Sequence, residues 1–375
     1  MEKPFNYGTL AYQPFFTNRS SDIRNLSLNF ISGTNTILIS PRRWGKSSLV
    51  WAIAQRLKKS HPKIKFCFID LFNVRSEEEF YELYALELIK ATASKWNERV
   101  KSVKKFFKQL IPQIGLPVDS QNNITLSFEW KQLKKNPNEI IDLAEAICKA
   151  KKIKLVVCID EFQNVSYFTD HLAFQKKLRA HWQKHQLTTY CIYGSKRNMM
   201  ATLFENPNMP FYKFGDVHFL QKIKREHWVP FIVKRFAKTG KSISAELADK
   251  LASLMEDHPY FVQQLGQETW QFSTKKCTQS NINDAVESLL MKLSILYHRE
   301  TDQLSNAQIN FMKALCNDET RFTTANVIER YKLGSSANVI KIKKALEQKE
   351  IIDTMESRVQ FNDPLYRLWF IKFML

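Results

Sequence analysis

Apolar residues recur along this chain in two registers, one of strands and one of helices. The β-branched run TILI at 36–39 precedes a polar loop and then WAIAQRLKK, whose apolar positions fall at helical spacing, so strand, loop and helix are predicted in succession. KIKFCFID at 63–70 reads as a second buried strand. The helix predicted after it, over 76–90, opens with Ser76 and Glu79 placed as a capping box. KLVVCID at 154–160 and TTYCIYGS at 188–195 are continuous apolar runs of the length expected for fully buried strands, and Pro137 opens a helix through Ile147. NITLSFEW at 123–130 alternates with period two, as a half-exposed edge strand does. The stretch 99–117 mixes lysines with Phe106 and Phe107, breaks at Pro112, Gly115 and Pro117, and reads as an insertion.

Strands that alternate with helices predict an α/β fold, a parallel sheet covered on both faces, with ligands beyond the carboxyl ends of the strands. Past about residue 216 helical spacing takes over and an all-helical lid is expected. From Leu304 onward three helical stretches and IIDTMESRVQFNDP, read as a short hairpin, make a winged helix-turn-helix. The expected organisation is a core over 1–215, a lid over 216–298 and a winged helix over 299–375.

Composition narrows the class. With 44% hydrophobic and 25% charged residues the chain reads as an ordinary globular protein. The six cysteines form no CxxC pair, which points to reduced, packed thiols rather than a disulfide frame or zinc site. No apolar leader opens the sequence and no run approaches a membrane span, so no membrane association is expected and the cytoplasm is the expected location. A formal net charge of +19 makes nucleic acid a candidate partner, or else describes only a basic surface.

The candidate chemistry lies at the strand ends. Ser40-Pro41-Arg42-Arg43-Trp44-Gly45-Lys46-Ser47 follows the GxxxxGK[ST] pattern except at its first position, where Ser40 replaces glycine and its side chain is expected to strain the loop. In such a loop main-chain N–H groups face phosphates, Lys46 reaches the β and γ oxygens, and Ser47 supplies a hydroxyl to Mg²⁺ at the start of a helix. Asp160 and Glu161 end an apolar strand, placing one carboxylate for the metal and the next for an attacking water. Ser195 reads either as a sensor of the γ-phosphate or as a plain strand-to-turn serine. His258 and Pro259 open a lid helix, either to touch phosphate and adenine or only to cap it.

With these residues in view, the chain resembles the archaeal-type ATPases of the STAND group, which are AAA+-related P-loop proteins akin to origin-recognition ATPases. The likeness rests on Phe15 to Arg19, on Ser40 to Leu49 (which includes Ser48), and on Phe68 to Leu71. It continues through Ile159 to Gln163, Gly194-Ser195, His258-Pro259-Tyr260, and Phe361 to Leu365. It implies a three-layer P-loop NTPase core with Arg19 and Ser48 among the nucleotide-binding residues, ATP or ADP with Mg²⁺ as ligands, slow hydrolysis, and a nucleotide-dependent rearrangement of lid and winged helix.

Three functions follow. The first is an ATP-driven switch with low turnover; the second is a DNA-binding winged-helix protein regulated by ATP; the third is a nonhydrolysing scaffold, against which the intact Asp160-Glu161 pair argues. A protein partner or second copy of the chain is a candidate for completing the site, and Arg42, Arg43, Arg179 and Arg197 are candidates for a phosphate-contacting arginine.

Overall fold

The computed structural model describes residues 3–11, 15–93, 98, 106, 113–115, 125–127, 137–354 and 358–375. They fall into two compact units, Arg19–Gln221 and a second that joins Met1–Asn18 to Lys222–Leu375.

The first unit runs α1 (Ser20–Ser32), β1 (Thr36–Ile39), α2 (Lys46–Ser60), β2 (Ile64–Asp70) and α3 (Glu77–Thr92), then β3 (Gln113–Gly115) and β4 (Thr125–Ser127). It continues with α4 (Asn138–Ile141), α5 (Leu143–Lys151), β5 (Lys154–Asp160), α6 (His171–Trp182), β6 (Thr188–Gly194), α7 (Arg197–Glu205) and β7 (Asp216–Phe219). Five strands form one parallel sheet in the order β2-β5-β6-β1-β7. The strand that starts the phosphate-loop motif and the strand that ends in Asp160 are therefore separated by one strand, β6.

Position in the sheet decides burial. β1, β5 and β6 lie inside it and are buried on both faces, as their unbroken apolar runs demand. β2, read as a buried strand, is an edge strand whose Lys65, Phe68 and Asp70 are exposed. One face of the sheet sends Ile37, Ile39, Cys67, Ile69, Val157 and Ile159 into a core shared with Tyr84, Ile147 and Trp182. On the alternate residues β5 buries Val156 and Cys158, as period two requires. β7 was not expected: DVHF is short and half polar, and it lies just past residue 215, where the core was expected to end.

Local signals act as read, with one change. Ser76 caps α3 by accepting from the Glu79 N–H at 3.2 Å, but the Glu79 carboxylate turns to the Arg75 N–H at 2.6 Å rather than back to Ser76. β3 and β4 pair antiparallel outside the main sheet; the rest of the alternating stretch 123–130, and most of 99–117, lie outside the described residues.

The second unit is built on α8 (Arg225–Ala237), α9 (Ala245–Leu254), α10 (Pro259–Phe272), α11 (Gln279–Asp302), α12 (Asn306–Cys316), α13 (Ala325–Arg330) and α14 (Ser336–Gln348). The hairpin of β8 (Ile352–Asp353) and β9 (Gln360–Phe361) follows, with Ile352 opposite Phe361. A last helix, α15 (Pro364–Met374), had not been assigned from the sequence; it buries Leu365, Tyr366, Trp369 and Phe370. One apolar core joins all these helices. All six cysteines are buried and free.

Candidate nucleotide site

The loop Ser40–Gly45 leaves the carboxyl end of β1 and enters α2 at Lys46. Its unusual backbone sits at Arg43 (φ 62°) and Gly45 (φ 92°), the latter capping α2 in the left-handed conformation that glycine adopts without penalty. Ser40 is not among the positive-φ residues, so the strain expected from its side chain is absent. It is buried and its hydroxyl donates to the Pro41 carbonyl at 3.2 Å. Gly45, the N-cap of this 15-residue helix, has no side chain with which to cap it. The helix's first-turn N–H groups and the dipole they carry form the kind of place where anions bind.

Lys46 is buried, and its ammonium donates to the carbonyls of Ser40 and Pro41, each at 3.0 Å. Ser47 Oγ donates to Asp160 Oδ2 at 2.7 Å, across 113 residues of sequence. Asp160 Oδ1 accepts the Glu161 N–H at 2.8 Å. Burial pushes the Asp160 carboxyl up to about 6; the Glu161 charge adds to the rise, while the Ser47 hydrogen bond and the Lys46 charge oppose it.

Glu161 stands at positive φ (53°) just past β5. Its Oε2 accepts from Ser195 Oγ at 2.9 Å, from the Ser195 N–H at 3.3 Å and from the side-chain amide of Gln163. Arg42 Nε donates to the same Ser195 hydroxyl at 3.4 Å. Gln163 is buried against Gly194, where an added Cβ would meet its Oε1 at 1.9 Å. Two turns are thereby fixed to each other, the one after β5 and the one after β6. The Asn164 side chain ties the first of them to the end of β2 through the carbonyls of Leu71 (3.0 Å) and Phe72 (3.3 Å).

With this geometry in place, comparison with known proteins becomes informative. A family model described as the KAP family P-loop domain matches residues 44–167, a span that contains both Gly45-Lys46-Ser47 and Asp160-Glu161, and one described as a probable winged helix domain matches residues 295–372. The chain has a P-loop NTPase fold with a C-terminal winged helix domain. Among solved structures it is similar to the Walker-type ATPase of Pyrococcus abyssi, at 14% identity and a TM-score of 0.66 over 95% of this chain and 96% of that one. It is also similar to the ORC2 protein of Aeropyrum pernix in its ADPNP-ADP complexes, at 14% identity and a TM-score of 0.51 over 99% and 98%. At such identities the likeness is one of fold. No curated protein matches the sequence. The STAND affiliation is a finer statement than these matches make.

The fold brings Ser40, Pro41, Arg42, Lys46, Ser47, Asp160, Glu161 and Ser195 into one connected set of contacts. Trp44 and Ser48 are buried beneath the loop, and Arg43 is exposed on it. Arg19 is buried too, and burial lowers its pKa. Its guanidinium donates to the Trp44 carbonyl at 3.2 Å and to the Gln221 carbonyl at 2.5 Å, so it holds the loop from below. His258 and Pro259 belong to the other compact unit. There His258 accepts the Tyr260 N–H at 3.3 Å and Pro259 fills the first turn of α10, so both take part in capping that helix. Gln163 and Asn164 were not among the expected site residues. Gln163 did close the Ile159–Gln163 stretch that carries the resemblance, whereas Asn164 gave no signal beyond its position, since its partners Leu71 and Phe72 are distant in sequence.

Among the described residues no group of three or more His, Cys, Asp or Glu is arranged to hold a metal. A hydroxyl and a single carboxylate suit Mg²⁺, which keeps several waters and takes one or two carboxylates plus phosphate oxygens. A half-buried Asp160 whose charged form is disfavoured by desolvation fits that ion.

Proposed function

We propose that the chain binds ATP with Mg²⁺ and hydrolyses it slowly, working as a nucleotide-dependent switch. The observation that carries this reading is the 2.7 Å contact between Ser47 and Asp160, which joins the phosphate loop to the end of β5. In this reading the N–H groups opening α2 take up the triphosphate, and Lys46 exchanges the carbonyls of Ser40 and Pro41 for phosphate oxygens. Ser47 and Asp160 would hold Mg²⁺, which when bound draws charge off the β- and γ-phosphate oxygens. Glu161 releases Ser195 and Gln163 to orient a water, Ser195 and Arg42 reach toward the γ-phosphate, and Arg19 keeps the loop in shape from beneath.

The lid (expected over 216–298, of which 216–221 belong to the sheet's unit) and the winged helix (299–375) are the elements proposed to respond. His258 and Pro259 would add phosphate and adenine contacts from the lid. A switch of this kind works only if nucleotide binds one arrangement better than the other. The STAND affiliation fits such a task, a partner protein or second copy would complete the site, and six free, buried cysteines support a cytoplasmic setting.

Two variants test the enzyme. Lys46→Ala is expected to lose nucleotide affinity by about tenfold or more, and Glu161→Gln to keep affinity while losing turnover by a similar factor. Full turnover in both variants would overturn the reading. A second reading, DNA binding through the winged helix, is favoured by the family match and by Lys341 and Lys344, exposed on α14. Against it, residues 301–375 carry 11 Lys and Arg against 9 Asp and Glu, a net of only +2.

A further inference from the structure

We propose that the amino-terminal edge of the five-stranded sheet, at the far end of the strands from the phosphate loop, docks the phosphate backbone of duplex nucleic acid. A parallel sheet starts all its strands at one edge and ends them at the other, so Lys46 and Asp160 stand at one end and the strand beginnings at the opposite one. At β2 and β5 these beginnings carry lysines, whereas β1 and β6 begin at Thr36 and Thr188, and β7 begins at Asp216, whose carboxylate accepts from the Asn29 side chain at 2.9 Å. Lys63 and Lys65 flank the first residue of β2, and Lys152 and Lys154 lead into β5. Ile64 is in register with Lys154, whose N–H donates to the Lys63 carbonyl at 3.0 Å. α2 runs from the phosphate loop back to this edge and ends in Lys58 and Lys59.

All six of these lysines are exposed. Two acids at this edge already have partners, Glu145 with Lys149 at 3.7 Å and Glu98 with Lys151 at 2.8 Å. Lys154 is in register with Ile64 and so faces the opposite side of the sheet from Lys65, and its ammonium donates to the Ile31 carbonyl at 3.4 Å; the lysines thus form a bank flanking the start of the sheet on both faces, where a duplex backbone would meet several of them. The charge of the whole chain points the same way. Residues 19–221 hold 32 Lys and Arg against 18 Asp and Glu, a net of +14 within the total of +19.

The surroundings select the partner. Among the described residues none of the exposed large apolar side chains falls within 56–65 or 149–154. Unpaired bases would find no aromatic platform to stack on, and a bilayer no apolar wedge. A duplex asks only for cations at its phosphates, so binding without sequence preference and with steep salt dependence is expected.

The test uses the full chain and a labelled mixed-sequence duplex of about 20 base pairs, followed by fluorescence anisotropy across a salt series. Replacing Lys63, Lys65, Lys152 and Lys154 together by Gln is expected to weaken binding at least about tenfold and to lower the log–log salt slope by about 3 to 4. Lys341→Gln with Lys344→Gln is expected to leave binding within about twofold, since those side chains lie outside the bank. Unchanged binding in the fourfold variant, or loss only in the winged-helix variant, would overturn the proposal. So would charge-dependent binding to phosphatidylserine vesicles with none to the duplex. If the fourfold variant fails to fold, each pair of substitutions alone carries the same test with about half the slope change. ATP affinity, measured on the same proteins, is expected to be unchanged, so failure here and failure of the nucleotide reading are seen separately.

Discussion

Ser47 and Asp160 share a 2.7 Å hydrogen bond although they belong to the first turn of α2 and the last residue of β5. The sheet order makes this meeting possible, because β1 and β5 flank β6 and release their ends on the same side. The acid in this pair is half-buried and its charged form is disfavoured by desolvation, which sets how the protein responds to pH and to metal.

Asp160→Asn tests that burial. The carboxyl rises from its ordinary 3.8 to about 6, so the folded state favours the protonated acid. Its contribution to stability is complete below pH 3.8 and is lost as pH rises through 6. In the absence of metal, Asp160→Asn is therefore expected to be more stable than the wild type at pH 7 by roughly 2–3 kcal/mol, with the gap closing toward pH 4. Urea unfolding at pH 4 and pH 7 checks this, and adding Mg²⁺ with ATP is expected to reverse the order at pH 7. A constant gap across pH would show that Asp160 does not titrate in this way.

Ser40→Gly restores the residue usual in the loop pattern, yet no gain is expected. Ser40 holds no positive φ, so glycine relieves nothing and only loosens the unfolded chain, at a cost of about 0.5–1 kcal/mol. ATP affinity is expected to change less than about twofold, whereas Gly45→Ala, at φ 92°, is expected to weaken it substantially. A large gain in affinity for Ser40→Gly would mean that the serine does distort the loop.

Gly194→Ala places a methyl 1.9 Å from Gln163 Oε1 and 2.9 Å from Met200 Sδ. Gln163 must then leave Glu161, and the variant is expected to lose about 1–3 kcal/mol of stability together with turnover. Pairing it with Gln163→Ala separates the two effects. The added clash cost is expected to shrink in the double variant, and a stability loss that simply adds would show that Gly194 and Gln163 act independently.

The features legible in the sequence were those with short-range causes. β5 and β6 were evident because strands buried on both faces must be apolar throughout, and the phosphate loop because its chemistry confines residue types to one stretch. The lid helices and the hairpin were evident from spacing and caps. β2 misled, since Phe66 and Phe68 make an edge strand look interior; Phe66 packs edge-on to Phe30 of α1 at 5.9 Å while Phe68 stays exposed. β7 was hidden by its polar Asp216 and His218, which hydrogen-bond to Asn29 and Asp22 on α1, each at 2.9 Å. The contact of Arg19 with Trp44 and that of Gln163 with Glu161 follow from how turns stack at the sheet's end, which no local pattern encodes.

The most direct measurement is isothermal titration calorimetry of ATP into the wild-type chain with and without Mg²⁺, repeated with Lys46→Ala and Asp160→Asn. The account predicts saturable uptake by the wild type that tightens when Mg²⁺ is present, loss of that metal-dependent gain in Asp160→Asn, and weak or no uptake in Lys46→Ala. Absence of any heat of binding in the wild type with Mg²⁺, or equal affinity in all three proteins, would contradict it.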